Sequence, residues 1–517
     1  MVAPKGHHRS RLRGHGVAVL MPSTNVAAEV TIVGAMKRKS IFRKDSQKLD
    51  AAFIEAGRPE KVLLVPLDFA KSTHYACFCD GLGRYQRQAF TVKNNNEGLD
   101  YLVGLIEAAR KSRSIRNKKH VIVGGEDSAS YTRNFMERLK ELGYLAVRLS
   151  SCEVHRQAES MDSSTDRTAL RAIAKTMLNR DARQIDGHDI YTELRGLTRQ
   201  RRRVVHLSTA VKNRIHTHAD RLFPGFLSKD STLAPFSKAS LALMSKPSFS
   251  ALSISRKNEK TLATQLSRHG VRECSETAAK LKRQARDAIP ADKDSARLSA
   301  RILAGELTLF RALQSNLEEL DQGCARLLAR TPEAFVTSIK GIGITLTSSI
   351  CAESGSLARI TRSDCLNAYA GIVPKVKQTG GPESEAKIRG RRRSFNRILK
   401  DYTMQAGNHL YLHGPEELME DAARRKLAGK AVDTAMARRF LRIARALSKS
   451  HFVYLPSSLR GQNASSEDRA RYVLDTWPAF LVKWKRLGLH EQAFAPEAPL
   501  GRWRLAVQEV YEIELPL

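Results

Sequence analysis

The sequence contains few of the residues that hold disulfide-rich and zinc-binding proteins together. Its 517 residues include seven cysteines, and no two of them form a Cys-x-x-Cys pair or another zinc-binding spacing. We therefore expect neither a disulfide framework nor a structural zinc site, and the reducing cytoplasm is the simplest location for such a chain.

Long apolar runs are also absent. None approaches the ~18 residues that are needed to span a bilayer. The apolar segment at residues 17–21 is too short for the core of a signal peptide. The sequence therefore predicts a soluble protein that has no membrane partner.

Acidic residues are scarce relative to basic ones. The chain has 53 Asp and Glu against 87 Lys and Arg, which gives a formal net charge of +34. Such an excess attracts polyanions, and each phosphate that is neutralised adds to the salt dependence of binding. A single basic run is typical of a solvated face, but several together indicate a nucleic-acid partner. The basic residues cluster at residues 7–13, 37–39, 199–203, 387–393 and 424–449.

Three of the acids lie where predicted strands end or a predicted helix begins. Residues 62–67 are apolar on both faces, as expected of a buried strand, and are followed by Asp68. Residues 121–123 form a second apolar strand that runs through two glycines into Glu126. Asp166 precedes a helical pattern. Acids in such positions can converge on one site.

The elements around these acids follow the order of an RNase H-like fold. Pro66 is unusual in this scheme, because proline cannot donate a hydrogen bond to the ladder of a central strand. We nevertheless predict an α/β domain of this type. Three strands are followed by helix, strand, helix, strand and helix, at residues 62–67, 73–79, 85–92, 97–113, 121–123, 131–143, 145–149 and 169–178.

Asp68, Glu126 and Asp166 could bind one or two divalent cations. Two metal ions roughly 3.5 to 4 Å apart would polarise a scissile phosphate and activate the attacking oxygen. Mg²⁺, or Mn²⁺ in its place, suits ligands that are all oxygen atoms. A lone acid at a strand end is more often a surface residue or a helix cap. Three in these positions predict a metal site for phosphoryl transfer on nucleic acid.

The middle of the chain predicts two long amphipathic helices. The first has apolar residues on a 3-4 spacing between Leu194 and Leu222, and the second has a heptad seam between Phe310 and Leu327. Seams of this kind usually pack against another helix or a second subunit. We expect the seam either to pair chains into a homodimer or higher oligomer, or to pack against the first helix.

Residues 338–344, Ser-Ile-Lys-Gly-Ile-Gly-Ile, form a helix-hairpin-helix-like motif ahead of a predicted helix at residues 345–352. Such a hairpin exposes backbone N–H groups at the positive end of a helix dipole, where a phosphate of nucleic acid can bind. Lys340, Gly341 and Gly343 are therefore candidate nucleic-acid contacts, although Gly-x-Gly also forms ordinary tight turns. A basic run further along adds Lys387, Arg389, Arg391, Arg392 and Arg393 as candidates.

Five segments resemble the signatures of the DEDD transposases of the insertion sequence 110 family, which are relatives of the Piv-type DNA invertases. The resemblance covers roughly residues 60 to 455, and the segments occur in the family's order. They lie at residues 67–71, 125–128, 164–167, 339–343 and 368–374.

The resemblance implies a RuvC-like domain, a coiled-coil region that dimerises and a carboxyl-terminal transposase domain. In that family an acidic tetrad binds Mg²⁺, a serine of the carboxyl-terminal domain attacks DNA, and a structured bridge RNA selects the DNA. Asp68, Glu126 and Asp166 match the first three acids of the tetrad. The expected setting is the cytoplasm of a prokaryote, in association with the nucleoid.

Two positions depart from the family pattern. Ala169 stands where the fourth acid is usual, and Thr379 stands where the nucleophilic serine precedes a glycine. A threonine hydroxyl can act as a nucleophile, although Gln-Thr-Gly-Gly is also typical of an ordinary loop. Asp162 or Asp181 could replace the missing acid, and Ser384 could supply the hydroxyl, but none of them aligns well.

The predicted fold class is α/β plus α, and a chain of this length should contain two to four domains. The three tryptophans of the last segment could stack on bases, but they more commonly form the core of a packed appendage. We predict a basic flexible extension (1–57), a RuvC-like catalytic domain of RNase H fold (58–184), a helical coiled-coil region with a loop insertion at 226–256 (185–330), a mainly helical transposase domain (331–455) and an appendage of unknown role (456–517).

Two functions remain open. The first is an RNA-guided, Mg²⁺-dependent transposase or recombinase that joins itself to DNA through the hydroxyl of Thr379. The second is an RNA-guided, RuvC-like endonuclease of the tandem-interspaced-guide-RNA-associated type, in which water attacks. A binding protein without catalytic activity is a third. The resemblance continues through the carboxyl-terminal domain, which favours the transposase.

Overall fold

The amino-terminal part of the chain is built on one mixed sheet, and most of the remainder is helical. This is the α/β plus α composition that the sequence predicts. The computed structural model describes residues 47–126, 131–159, 165–179, 182–184, 190–360, 362–377, 387–391, 395–424, 430–461 and 464–517.

The sheet has six strands in the order β3-β2-β1-β4-β5-β6. The central strands β1, β4 and β5 are parallel, whereas β2, β3 and β6 each run antiparallel to their neighbours. The strands are β1 (Leu63–Asp68), β2 (Thr73–Asp80), β3 (Tyr85–Lys93), β4 (Val121–Glu126), β5 (Leu145–Leu149) and β6 (Ala182–Gln184). Five of them lie where the sequence predicts strands.

Helices cover both faces of the sheet. Alternate residues of β1 explain why its sequence is apolar on both faces: Leu63 and Val65 join a core with α2 and α3, and Leu64 joins a core with α1, α4 and α5. The helices are α1 (Gln47–Glu55), α2 (Asn96–Ser112), α3 (Tyr131–Glu141), α4 (Ser151–Ala158) and α5 (Asp166–Leu178).

Pro66 is accommodated by a break in one ladder. β1 pairs with β2 at Leu63, Leu64, Leu67 and Asp68, but Pro66 has no partner on β2. The missing N–H of proline therefore falls where that ladder is interrupted, and the strand stays central.

The predicted flexible extension (1–57) includes residues 47–55, but these residues form helix α1. Leu49 is fully buried and Ala52 nearly so, and both belong to the core on one face of the sheet. The sequence gives little signal for this helix, because its apolar face is only two turns long and follows a basic segment.

Two long helices form an antiparallel pair in the middle of the chain. The heptad seam lies on the second of these helices and packs against the first, which is one of the two partners that the sequence predicts. Assembly into a homodimer or higher oligomer stays a prediction. The two helices are α6 (Ile190–Leu222) and α11 (Lys293–Ala329), and four shorter ones lie between them in sequence: α7 (Lys238–Met244), α8 (Ala251–Arg256), α9 (Glu259–Ser267) and α10 (Cys274–Asp287).

The predicted loop insertion at residues 226–256 contains α7 and α8. Phe226, Leu243 and Phe249 are buried there in a core that also includes the carboxyl-terminal half of α6. Two of its serines, Ser237 and Ser250, cap the amino ends of these short helices.

Most of the remaining elements share a single hydrophobic core with one end of the long helix pair, where α6 begins and α11 ends. A 3-10 segment (Pro332–Ser338) leads into α12 (Ile344–Ser354), α13 (Ser363–Tyr369), β7 (Pro374–Lys377), β8 (Lys387–Arg391), α14 (Arg397–His413), α15 (Glu416–Arg424), α16 (Lys430–Ser450), α17 (Ser466–Lys485), α18 (His490–Ala493) and α19 (Pro499–Tyr511).

Residues 456–517 are not a separate appendage with a small core of its own. Trp477, Trp484 and Trp503 are all buried in the core that α12, α14 and α16 build. The ring of Trp503 lies 6.3 Å from that of Phe335 in the 3-10 segment. Because they are buried, these tryptophans cannot stack on bases.

Across the described ranges, no helix is both long enough and apolar enough to cross a membrane.

We expect Leu49→Ala to lower the free energy of unfolding of the amino-terminal sheet by about 2–5 kcal/mol, because it leaves a cavity under the sheet. Ile54→Ala is the matched control on the same helix: Ile54 is 75% exposed, and its loss should have little effect. Urea denaturation followed by circular dichroism compares the two. Equal midpoints for both variants would contradict the packing of α1.

Candidate functional site

Asp68 and Glu126 end neighbouring parallel strands at the same edge of the sheet. The register pairs Leu67 of β1 with Gly125 of β4, so the acid that follows each of them lies beside the other. Both side chains are half-buried. The sheet therefore brings together two carboxyl groups that are 58 positions apart in sequence (126 − 68).

The two glycines before Glu126 let other parts of the site approach β4 closely. A Cβ atom on Gly125 would lie 2.4 Å from both the carbonyl oxygen of Leu67 and the ring of Phe69. A Cβ atom on Gly124 would lie 2.9 Å from the sulfur of Met177, on α5. Larger residues would push α5 away from the sheet and change the position of the third acid.

Asp166 is the first residue of α5, which packs against β1. Thr165 caps the helix: its hydroxyl accepts from the N–H of Thr168 at 3.3 Å, and its own N–H donates to the Thr168 hydroxyl at 2.7 Å. This reciprocal cap fixes where the helix begins, and therefore where the exposed carboxyl group of Asp166 stands.

The three acids are electrostatically coupled. Burial raises the pKa of Asp68 above its usual value, and the negative charge of Asp166 raises that pKa further. Burial also raises the pKa of Glu126, and the charge of Asp68 adds to the effect. These effects place Asp68 within electrostatic reach of both Asp166 and Glu126. The prediction that the fold brings these acids together is consistent with this coupling.

Helix α4 adds two residues that the sequence analysis missed. A hydrogen bond from Ser151 and the positive charge of His155 both act to lower the pKa of Glu126, against the larger effect of burial. The signal was available in the sequence. Ser151 lies two residues after the end of β5, which is parallel to β4, so it had to lie at the same edge of the sheet.

The donor chemistry of these acids fits a hard divalent cation, because all three offer oxygen atoms and their mutual repulsion would be relieved by positive charge. Among the described residues, no three His, Cys, Asp or Glu side chains are close enough to form a metal-binding group. Ala169, at the position of the family's fourth acid, lies one turn into α5. Asp162 and Asp181, the suggested substitutes, lie outside the described residues.

Part of the predicted basic run lies in a two-stranded ribbon. β7 and β8 pair antiparallel, from Pro374 opposite Arg391 to Lys377 opposite Lys387. Arg389 lies on β8 with these two residues. The predicted residues outside the described ranges are Thr379, Ser384, Arg392 and Arg393.

A buried carboxylate anchors the base of this ribbon. Glu353, at the end of α12, accepts two hydrogen bonds from Arg199 of α6 at 2.7 and 3.0 Å. It accepts a third from the amide of Asn396 at 2.8 Å. Burial alone would raise the pKa of Glu353, but these hydrogen bonds outweigh burial and the pKa is lowered. The side chain is therefore ionised in the interior.

Asn396 joins the chain segment that precedes β7 to the segment that follows β8. Its N–H donates to the carbonyl oxygen of Tyr369 at 2.9 Å, and its side-chain amide donates to the hydroxyl of Tyr369 at 3.2 Å. Gly371 adopts a φ of +67°, and a Cβ atom there would lie 2.4 Å from the ring of Phe395. Arg438 closes the base with two hydrogen bonds to the carbonyl oxygen of Ile372.

The hairpin turn, residues 339–343, is a tight turn that only glycine permits. The N–H of Ile342 donates to the carbonyl oxygen of Ile339 at 3.1 Å, and Gly341 adopts a φ of +82°. Gly341 also lies close to carbonyl oxygens of α14, where a Cβ atom would approach His413 to 3.0 Å. Lys340 is exposed at the tip.

The N–H groups that follow the turn lie at the start of α12. Gly343 is the N-cap of α12 and has no side chain with which to cap the helix. The part of the chain that the structure describes supplies no acceptor for the N–H groups of Gly343, Ile344, Thr345 or Leu346. These donors stand at the positive end of an 11-residue helix.

Several arginines that the sequence analysis counted toward a nucleic-acid surface bind other parts of the protein instead. Arg199 pairs with Glu353, and Arg201 makes two hydrogen bonds to Asp321 of α11. In the basic run that ends at residue 449, Arg438 and Arg445 donate to backbone carbonyl oxygens. Sequence alone could not distinguish these from arginines that face solvent, because each partner is distant in the chain.

Two protein-family models match the chain. Residues 65–224 match the DEDD model of the IS110 group, described as a transposase, and residues 333–413 match the model described as the transposase IS116/IS110/IS902 family. The first match contains the three coupled acids. The second contains the hairpin turn, the ribbon and α14. No curated protein matches the chain.

Replacing Arg199 tests whether this arginine stabilises the fold. Arg199→Ala should destabilise the carboxyl-terminal half by about 1–3 kcal/mol, because it removes hydrogen bonds from a buried carboxylate. Arg203→Ala is the control: this side chain is exposed and bonds only to Gln200 within the described residues. Thermal unfolding measures the difference. A melting temperature lowered equally by both changes would contradict the anchoring role of Glu353.

Proposed function

Because the chain is a transposase of the IS110 family, we propose that it cuts and rejoins DNA with Asp68, Glu126 and Asp166, a divalent cation and a guide RNA. One observation carries the assignment of the site. At one edge of the sheet, burial and the charge of Asp166 raise the pKa of Asp68, and burial and the charge of Asp68 raise the pKa of Glu126. Such coupling is characteristic of functional sites.

The architecture of the sheet supports a RuvC-like catalytic domain of RNase H fold. Three antiparallel strands come first in the chain, and two parallel strands extend the sheet on the other side of β1. Ligands of open α/β sheets usually bind outside the carboxyl ends of the parallel strands. The three acids stand at that edge.

Asp68, Glu126 and Asp166 would hold the cation, Mg²⁺ or Mn²⁺. The DEDD transposase family generally depends on a divalent metal. When bound, the cation would offset the charge that develops on the scissile phosphate. Ser151 and His155 assist by keeping Glu126 more readily ionised than burial alone would allow.

Thr379 is the proposed nucleophile, and the anchored ribbon supports this role. Its attack would form a phosphoester between the threonine oxygen and DNA, and would release a DNA hydroxyl that takes up a proton. The carboxyl-terminal network of Glu353, Asn396 and Tyr369 holds both ends of the ribbon that leads to Thr379. A rigid base of this kind favours reproducible positioning of a reactive group.

The hairpin turn is the proposed phosphate contact of the carboxyl-terminal half. Exposed Lys340 and the unpaired N–H groups around Gly343 offer positive charge and donors together. Gly341 permits the turn itself, and the basic residues Lys387, Arg389, Arg391, Arg392 and Arg393 would contact the same or an adjacent nucleic-acid strand. The guide RNA rests on the family resemblance and on the net charge of +34.

The acidic site can be tested with Asp68→Asn. Strand cleavage of labelled DNA in Mg²⁺ should fall by at least about a hundredfold, because several kcal/mol of charge stabilisation depend on the metal site. DNA affinity should change little, since basic residues supply most of it. Glu141→Gln, at an exposed helix end, is the control. Unimpaired cleavage by Asp68→Asn would remove this site from the mechanism.

The nucleophile can be tested with two changes at Thr379. Thr379→Ala should abolish strand transfer, whereas Thr379→Ser should preserve or improve it, because serine keeps the hydroxyl without the methyl group. Denaturing electrophoresis of labelled DNA, after incubation with protein, Mg²⁺ and the cognate RNA, detects the protein-linked strand. Free cleaved ends that persist in Thr379→Ala would instead indicate an RNA-guided endonuclease in which water attacks.

A further inference from the structure

Lys483 reaches from α17 to the back of the hairpin turn. Its Nζ donates hydrogen bonds to the carbonyl oxygens of Thr337 at 2.6 Å, Ile339 at 2.9 Å and Ile342 at 2.8 Å. Three acceptors thus meet the three donors of one ammonium group. The carbonyl oxygens come from the end of the 3-10 segment and from both sides of the turn.

The surroundings of Lys483 require those acceptors. Burial lowers the pKa of Lys483 to about 8, so the ammonium group has lost much of its water yet remains charged at neutral pH. Its neighbours in the chain include fully buried Trp484, and Phe480 lies one turn before it in the same core. A desolvated charge is tolerated only where polar atoms replace its hydration.

The direction of the carbonyl groups fixes the direction of the N–H groups. In a trans peptide unit the C=O and the N–H point in opposite directions. Because the carbonyl oxygens of Ile339 and Ile342 point at Lys483, the N–H groups of Lys340 and Gly343 point away from it. These N–H groups belong to the proposed phosphate contact.

We propose that Lys483 is a built-in cation of the hairpin turn, and that it orients the N–H groups of Lys340 and Gly343 toward a nucleic-acid phosphate. It occupies the centre of three carbonyl oxygens, a place that a monovalent metal ion could otherwise take. This inference rests on the proposed contact between the turn and DNA. The inference also gives residues 456–517 a role, because α17 would position the hairpin turn.

The experiment compares two salts at equal ionic strength, potassium chloride and choline chloride. Binding of a fluorescein-labelled DNA duplex is measured by anisotropy for the full-length protein and for Lys483→Met. We expect the unchanged protein to bind equally in both salts. Lys483→Met should bind roughly tenfold more weakly in choline chloride, and potassium should restore its affinity, because K⁺ can enter between the carbonyl oxygens and choline cannot.

Lys485→Met is the matched control. Lys485 is exposed on the same helix, so this change removes one charge without touching the carbonyl oxygens. Its affinity should be the same in both salts. Restoration by potassium distinguishes a positioning role from general damage to the fold, because a misfolded variant would not recover in one salt only.

Lys340→Ala separates a failure of this inference from a failure of the proposed contact. If Lys340→Ala weakens DNA binding and Lys483→Met binds normally in choline chloride, the built-in cation is wrong and the contact stands. If neither Lys340→Ala nor Lys483→Met affects binding, the built-in cation and the contact between the hairpin turn and DNA are both wrong. An unchanged protein that itself requires potassium would overturn the inference even if Lys483→Met does not fold.

Discussion

The ionised carboxylate of Glu353 is the interaction on which the carboxyl-terminal half depends. A charge in the interior must be matched by donors of fixed position, and its donors come from α6 and from the start of α14. A second buried acid repeats the arrangement: Glu333 accepts hydrogen bonds from Tyr191 of α6 at 2.6 Å and from the N–H of Leu357 at 2.8 Å. The long helix pair is therefore joined to this core through polar contacts with strict geometry.

The acidic site shows the opposite arrangement, in which acids lie beside other acids. In the carboxyl-terminal half, each buried acid is paired with donors, and the result is rigidity. At the sheet edge, Asp68 experiences the charge of Asp166, and Glu126 experiences that of Asp68; Ser151 and His155 oppose the effect on Glu126. The backbone register and the glycines before Glu126 hold this unfavourable arrangement in place, as is common where a protein stores charge for function.

The sequence predicted most of the sheet because its signals are local. An apolar run with side chains on both faces, as at Leu63 to Leu67, leaves few alternatives to a central strand. Short polar helices such as α4 give no comparable signal, and its Ser151 was missed although it follows a predicted strand. Long-range pairing was beyond reach, since Arg199 lies 154 positions from Glu353 and Lys483 lies 141 from Ile342. Family resemblance supplied the order of the motifs, but not these contacts.

The antiparallel pair of α6 and α11 separates two hydrophobic cores along a single stiff rod. With 33 residues, α6 is about 50 Å long. At ~3.4 Å per base pair, that length corresponds to roughly 15 base pairs of DNA. A change of ~5° in the angle of the rod at Tyr191 would move its far end by about 4 Å over this length. A small rotation at this end would therefore be amplified at the other, and the hydrogen bond from Tyr191 to Glu333 holds the end from which it would start.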